Sequence, residues 1–167
     1  NAGLREQQTL AVYSPLSNMK GIEIDPFAVQ LARVTLWMGH KLAVEELDIH
    51  EEVLPLTDLS SIQRADALAI DWPRADAIIG NPPYHGDRMI RRELGDDYAE
   101  WLKREFGVGL KDYVVYWFRK THDALPEGGR AGLVATNSIA QNRARSVSLE
   151  YIVGTGGVIT HAISSQP

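Results

Sequence analysis

The stretch from Gly21 to Trp37, GIEIDPFAVQLARVTLW, constrains the fold of this chain more than any other. A short apolar run ends in Asp25-Pro26, and Phe27, Leu31, Val34, Leu36, Trp37 and Leu42 then recur at helical spacing. Proline has a fixed φ and no N–H, and the first helical turn tolerates both, so Pro26 marks a helix start. The pattern predicts a strand over Gly21 to Ile24 and an amphipathic helix to about His40. A strand that feeds a helix is half of a crossover unit, and such units build parallel sheets.

The same alternation continues along the chain. A short strand is expected near Ile62 to Ala65, and Ala77 to Gly80 reads as a strand buried on both faces, stopped by Pro82 and Pro83. Residues 88–104 are polar and read as helical or irregular. Asp112 is a cap for a helix through Tyr113, Tyr116, Trp117, Thr121 and Leu125, and PEGG ends that helix. RAGLVAT then reads as a buried strand, ARSVSLEYIV as a helix, GTGG as a turn and VITHAI as a final strand. Upstream, residues 4–13 carry a short helical pattern, and the breaker-rich SPLSNMK leads into the first strand. The fold class is therefore α/β, with a mostly parallel sheet covered by helices, and 167 residues fit one domain.

Composition removes several chemistries. There is no cysteine, which excludes disulfide scaffolds, thiolate zinc sites and cysteine nucleophiles, and the 5 histidines show no ligand-like spacing. No apolar run reaches the roughly 18 to 20 residues that cross a bilayer, so the expectation is a soluble, cytoplasmic protein without a membrane partner or a metal. A formal net charge of -5 means that any grip on a polyanion comes from local basic patches or from other parts of a larger protein. The chain starts at Asn1 and stops at SSQP, which reads as an excised piece.

In open parallel sheets ligands bind beyond the carboxyl ends of the strands, so the residues just after each strand carry the functional expectation. Glu23 and Asp25 follow the first strand; a carboxylate there accepts both hydroxyls of a ribose, while Asp25, next to Pro26, is the better helix cap. Asp66 follows the second strand as an acceptor for an exocyclic amine, with Asp71 a competitor nearby. Gly80-Asn81-Pro82-Pro83-Tyr84 follows the third, and two prolines between a buried strand and an aromatic residue are unusual as mere punctuation. Arg88, Arg91 and Arg92 after that motif, and Arg143 and Arg145 further on, could hold phosphates or form solvated faces. Tyr113, Tyr116 and Trp117 read as core, and VGTGGV as a turn, because it does not join a strand to a helix.

GNPPY resembles the catalytic motif of S-adenosylmethionine-dependent amino-methyltransferases. Together with GIEIDPFAVQLARVTLW, KDYVVYWF and GGRAGLVATNSI, in that order between Gly21 and Ile139, it resembles N6-adenine DNA methyltransferases, in particular the methyltransferase domain of single-chain restriction-modification enzymes of the Type IIG and IIL kind. The resemblance implies a Rossmann-like class I methyltransferase sheet, truncated here so that the first strand, with its glycine-rich cofactor loop, and the last strand are missing. It implies methyl transfer from S-adenosylmethionine to the exocyclic amine of an adenine flipped out of double-stranded DNA. Asn81, Pro82, Pro83 and Tyr84 would be catalytic: the Asn81 side-chain oxygen and the Pro82 carbonyl accept the amine hydrogens, the prolines hold the loop, and Tyr84 stacks on the base. Glu23, Ile24 and Asp66 would hold the ribose, the adenine ring and the amino group of the cofactor, with Asn81 beside it, and Asp112 and Tyr113 fall where the family has a helix near the cofactor. Arg88, Arg91, Arg143 and Arg145 are the candidate DNA contacts. The isolated piece is expected to be inactive. The competing expectations are methylation of a protein glutamine or an RNA adenine, which the same motif serves, and a non-catalytic remnant that binds DNA or a partner.

Overall fold

The computed structural model describes residues 16–46 and 60–163. The chain divides into two compact units at Pro73 and Arg74.

In the first unit, β1 (Gly21–Glu23) runs into helix α1 (Pro26–Glu46), which returns the chain to β2 (Ile62–Arg64), parallel to β1. A turn of 3-10 helix, Leu16–Asn18, precedes β1. Gly21 pairs with Ile62 and Glu23 with Arg64, and the ladder runs one step further through Ala65 N–H to the Glu23 carbonyl at 3.0 Å. Gly21 packs closely on β2: a Cβ there would lie 2.8 Å from Ile62 Cδ1, and that side-chain end would have to shift. Asp25 opens α1, its Oδ1 accepting the Ala28 N–H at 2.8 Å, so the cap expected from the Asp-Pro pair is present. Arg33 fastens the helix to β2 by donating from Nη2 to the Ile62 carbonyl at 2.7 Å.

The helix extends six residues past the expected His40, and the stripe read from its periodicity is not its buried side. Val29 and Val44 are buried, whereas Phe27, Leu31, Val34 and Leu42 are exposed. Apolar residues surround this helix, so periodicity alone selects no unique inward face.

In the second unit, β3 (Ala77–Gly80) and β4 (Arg130–Leu133) pair in parallel, Ala77 with Arg130 through Gly80 with Leu133. Between them lie α2 (Asp87–Leu94), α3 (Asp96–Phe106) and α4 (Val114–Ala124), and after β4 come a 3-10 turn (Asn137–Ala140), α5 (Asn142–Val147) and α6 (Leu149–Gly154). Ile90, Ala99, Leu102, Val114, Val115 and Tyr116 are the buried centre. Tyr113 is buried with them, as the aromatic spacing suggested. Each fully buried aliphatic side chain stabilises the unit by roughly 1.5–3 kcal/mol relative to exposure. Gly95 (φ 90) and Gly107 (φ 63) supply the left-handed backbone that ends α2 and α3.

Several expectations need correction here. Among the described residues the strands form two parallel pairs, one in each unit. β3 is not buried on both faces: Ile79 is 88% exposed, and β4 is largely exposed as well. An apolar run reports what a strand prefers to face, not whether a neighbour is there. Val158 to Ile163 is exposed and lies in no helix or strand, so no final strand forms there among the described residues. ARSVSLEYIV is two short helices broken at Ser148, whose φ of -120° and ψ of -78° leave the helical region. α4 starts at Val114 after Tyr113 with no side-chain cap; Asp112 contributes its backbone carbonyl, to Val115 N–H at 3.0 Å. The turn expected at GTGG is present, with Gly156 at φ 96. The helical pattern over 4–13 lies outside the described residues.

Candidate functional site

The loop from Asn81 to Gly86 leaves the carboxyl end of β3, where two prolines forbid continuation of the strand ladder. Pro82 is buried while Asn81, Pro83 and Tyr84 are exposed, so the loop is anchored at one residue and presents its neighbours outward. The Tyr84 hydroxyl donates to Asn81 Oδ1, which draws the phenol and the amide together on one side of the loop. Tyr84 is 46% exposed, leaving much of the ring open. Among the described residues no donor reaches the Pro82 carbonyl. An amide oxygen, a backbone carbonyl and an aromatic face therefore stand within four residues.

The loop is held still by the segments that pack behind it. Tyr113 N–H donates to the His85 carbonyl at 2.8 Å, and the His85 ring lies 5.8 Å from that of Tyr113. His85 Nδ1 sits 3.1 Å from Glu93 Oε2, and the Gly86 carbonyl accepts from Met89 and Ile90 as α2 begins. Tyr113 in turn shares a hydroxyl contact of 2.9 Å with Tyr98. The chain from 107 to 111 is fixed by Tyr116, whose buried hydroxyl accepts the Lys111 N–H at 3.0 Å. Burial pushes that phenol above its ordinary value, so it stays neutral and can serve as this anchor.

In the first unit, Glu23 closes β1 and its Oε1 accepts the Asp25 N–H at 2.8 Å. Ile24 is 64% exposed. Asp66 follows β2 one residue after the last ladder bond, and its Oδ1 accepts the Leu68 N–H at 2.9 Å in a turn closed by Ala69 N–H to the Asp66 carbonyl. Glu23, Ile24 and Asp66 thus share the carboxyl edge of one pair of strands, while Asp25 is spent on the helix. That edge offers acceptor carboxylates beside the exposed Ile24 side chain.

The arginines separate into two kinds. Arg91 donates to Asp96 Oδ1 at 2.7 Å and to Glu100 Oε1 at 2.6 Å, and these bonds, to Glu100 first, raise its already high affinity for protons. Arg145 donates from Nε to Glu150 Oε1 at 2.9 Å. Arg88 and Arg143 are exposed and have no ion pair among the described residues. Lys111, Ser138 and Gln141 come together with Arg143 around a cleft of about 330 Å3. Sequence reasoning missed Lys111 and Gln141 and left Ser138 without a role, since residues thirty positions apart carry no shared signal until α4 and the 3-10 turn bring them together.

The second unit thus carries a strand tip with an amide, two prolines and an aromatic, and the first unit a β-α-β element with acids at its edge. Residues 3–166 match the model described as MmeI, DNA-methyltransferase domain, so the chain belongs to that family of α/β methyltransferase domains. It is also similar to DNA methyltransferase A of Bacillus subtilis (strain 168), 28% identical over 164 residues that cover 90% of this chain and 19% of the relative. The chain thus spans about a fifth of the length of that relative. Among the described residues no helix is long and apolar enough to cross a membrane.

Proposed function

We propose that this chain is the base-holding part of an adenine-specific DNA methyltransferase in a restriction-modification enzyme, built on a Rossmann-like class I sheet. The observation that carries the reading is the convergence of Asn81 Oδ1 and the Tyr84 phenol on one exposed loop directly after a strand, with the Pro82 carbonyl lacking a described donor.

An adenine amino group is a weak nucleophile because its lone pair is delocalised into the ring. Two oxygen acceptors on its hydrogens favour the geometry in which that lone pair is freed. Asn81 Oδ1 and the Pro82 carbonyl are suited to be those acceptors, and proline's fixed φ keeps the second in place without a cost at the moment of reaction. The Tyr84 hydroxyl donates to Asn81 Oδ1, and the second lone pair of that oxygen can accept from an amine hydrogen while the exposed ring stacks on the base. Stacking of this kind is worth about 1–3 kcal/mol per base, enough to offset part of the few kcal/mol needed to extrude the nucleotide. No base is needed in the site, because the methylated amine can lose its proton to water.

The acceptors and the apolar side chain at the tips of β1 and β2 suit the adenosine end of S-adenosylmethionine: Glu23 for the ribose hydroxyls, Ile24 for the face of the ring and Asp66 for the amine. When bound, that cofactor supplies an electrophilic methyl group. What the residues supply is position, and well-oriented reactants gain up to about 7–11 kcal/mol over free encounter.

The test uses the full-length protein with labelled cofactor and DNA, RNA and protein as acceptors. Label recovered as N6-methyladenine from duplex DNA supports the reading, and label in RNA or protein alone overturns it.

A further inference from the structure

We propose that the cleft at the start of α2, lined by Asp87, Lys111, Asp112 and Arg143, binds a nucleotide flanking the extruded one, with its phosphate between Lys111 and Arg143; this rests on the function proposed for the Asn81–Tyr84 loop. The cleft, about 330 Å3, has Lys111 and Arg143 as cations, Ser138 and Gln141 as neutral donors, and Asp87 and Asp112 as acceptors. It lies within the range of about 300–1,000 Å3 that small-ligand sites occupy.

Three observations point to a nucleotide and not to a bare anion. The first is the sorting of cations. Arg91 and Arg145 are consumed by carboxylates of their own chain, while Lys111 and Arg143 have no ion pair among the described residues. The second is the mixed lining. Two carboxylates cancel two cations, so inorganic phosphate gains little net attraction there. A nucleotide carries both complements, an acceptor-only phosphate for Lys111, Arg143, Ser138 and Gln141, and base N–H donors for Asp87 and Asp112. The third is the shared wall. The Tyr113 N–H to His85 carbonyl bond stitches the segment after Asp112 to the loop, and a Cβ on Gly86 would sit 4.0 Å from Asp112 Oδ1. A strand whose target base lies on Tyr84 would therefore have its neighbouring residue at this cleft.

The experiment measures duplex binding by the full-length protein as a function of salt, for wild type, Lys111→Gln, Arg143→Gln, and the controls Arg91→Gln and Arg145→Gln. Loss of one phosphate contact lowers the slope of log K against log salt by about 1. Lys111→Gln and Arg143→Gln are each expected to lose about that much and to weaken binding, while the controls keep the wild-type slope. Thermal melts exclude misfolding as the cause, since a merely destabilised variant would lose active fraction without changing the slope. Unchanged slopes in Lys111→Gln and Arg143→Gln overturn the proposal, and so does competition by inorganic phosphate equal to that by a short oligonucleotide. If the wild type methylates adenine in DNA but the slopes do not move, this inference alone fails; if the wild type leaves DNA unmethylated, the functional reading fails.

Discussion

The tips of β1 and β3 are both the carboxyl ends of short parallel strands, yet they are furnished in opposite ways. At the tip of β1 the acids double as scaffold: Asp25 caps α1, Glu23 accepts the Asp25 N–H, and Asp66 closes the turn after β2. At the tip of β3 the polar groups of Asn81 and Tyr84 meet each other and not the framework, and the loop is held instead by buried Pro82 and by Tyr113 from behind. On the function proposed, the first edge would bind while sharing its side chains with the fold, and the second would present polar groups that the framework does not use.

This contrast can be broken most directly at the β3 tip. Asn81→Ala in the full-length protein is expected to lower the methyl-transfer rate by at least about a hundredfold, by analogy with removal of one preorganised hydrogen-bonding group at a reacting centre. Cofactor affinity and the urea midpoint should stay near wild type, because Asn81 supports nothing but Tyr84; an equal loss of stability would place Asn81 in the scaffold.

Next in size is Tyr116→Phe, which keeps the packing of the ring but strips the acceptor from Lys111 N–H. Leaving a partly buried donor unpaired costs about 1–2 kcal/mol, to be read from urea unfolding. A neutral result would mean that water replaces the hydroxyl and that the wall carrying Lys111 is not held by it.

At the β1 tip, Asp25→Ala removes the cap and should cost about 1 kcal/mol, while Asp25→Asn should cost much less because the amide oxygen still accepts the Ala28 N–H. If the two substitutions weaken cofactor binding more than stability, the division of labour between Asp25 and Glu23 is wrong.

The smallest effect is expected from Arg91→Ala. Its partner Glu100 is exposed, and its carboxyl is held below the ordinary value by Lys103 first and Arg91 second. A carboxyl lowered in the folded state contributes stability above its unfolded value and loses that contribution as pH falls through the folded one. The variant should therefore differ from wild type slightly at neutral pH, and not at all in acid or high salt.

The sequence exposes some of this well. Asp25-Pro26, the end of β3 at Gly80 and the glycine turn after α6 are local signals, set by φ and by capping, and the structure has them where the residues put them. The exposed faces of β3, the inward side of α1 and the unpaired segment after Val158 are not local. They depend on which neighbour is present, and an apolar run such as AIIG is the same string whether or not a partner covers it. The candidate loop is legible for the first reason, and the cleft with Lys111 and Gln141 is hidden for the second.

On the function proposed, the side chain of Asn81 holds the amino group of an extruded adenine. The decisive experiment is a cycle in which the full-length protein, wild type or Asn81→Ala, binds duplexes with adenine or with purine, which lacks the amino group, at the target position. Losing the amino group is expected to weaken binding to the wild type several-fold and to have little further effect in Asn81→Ala. Equal losses in both proteins would contradict it.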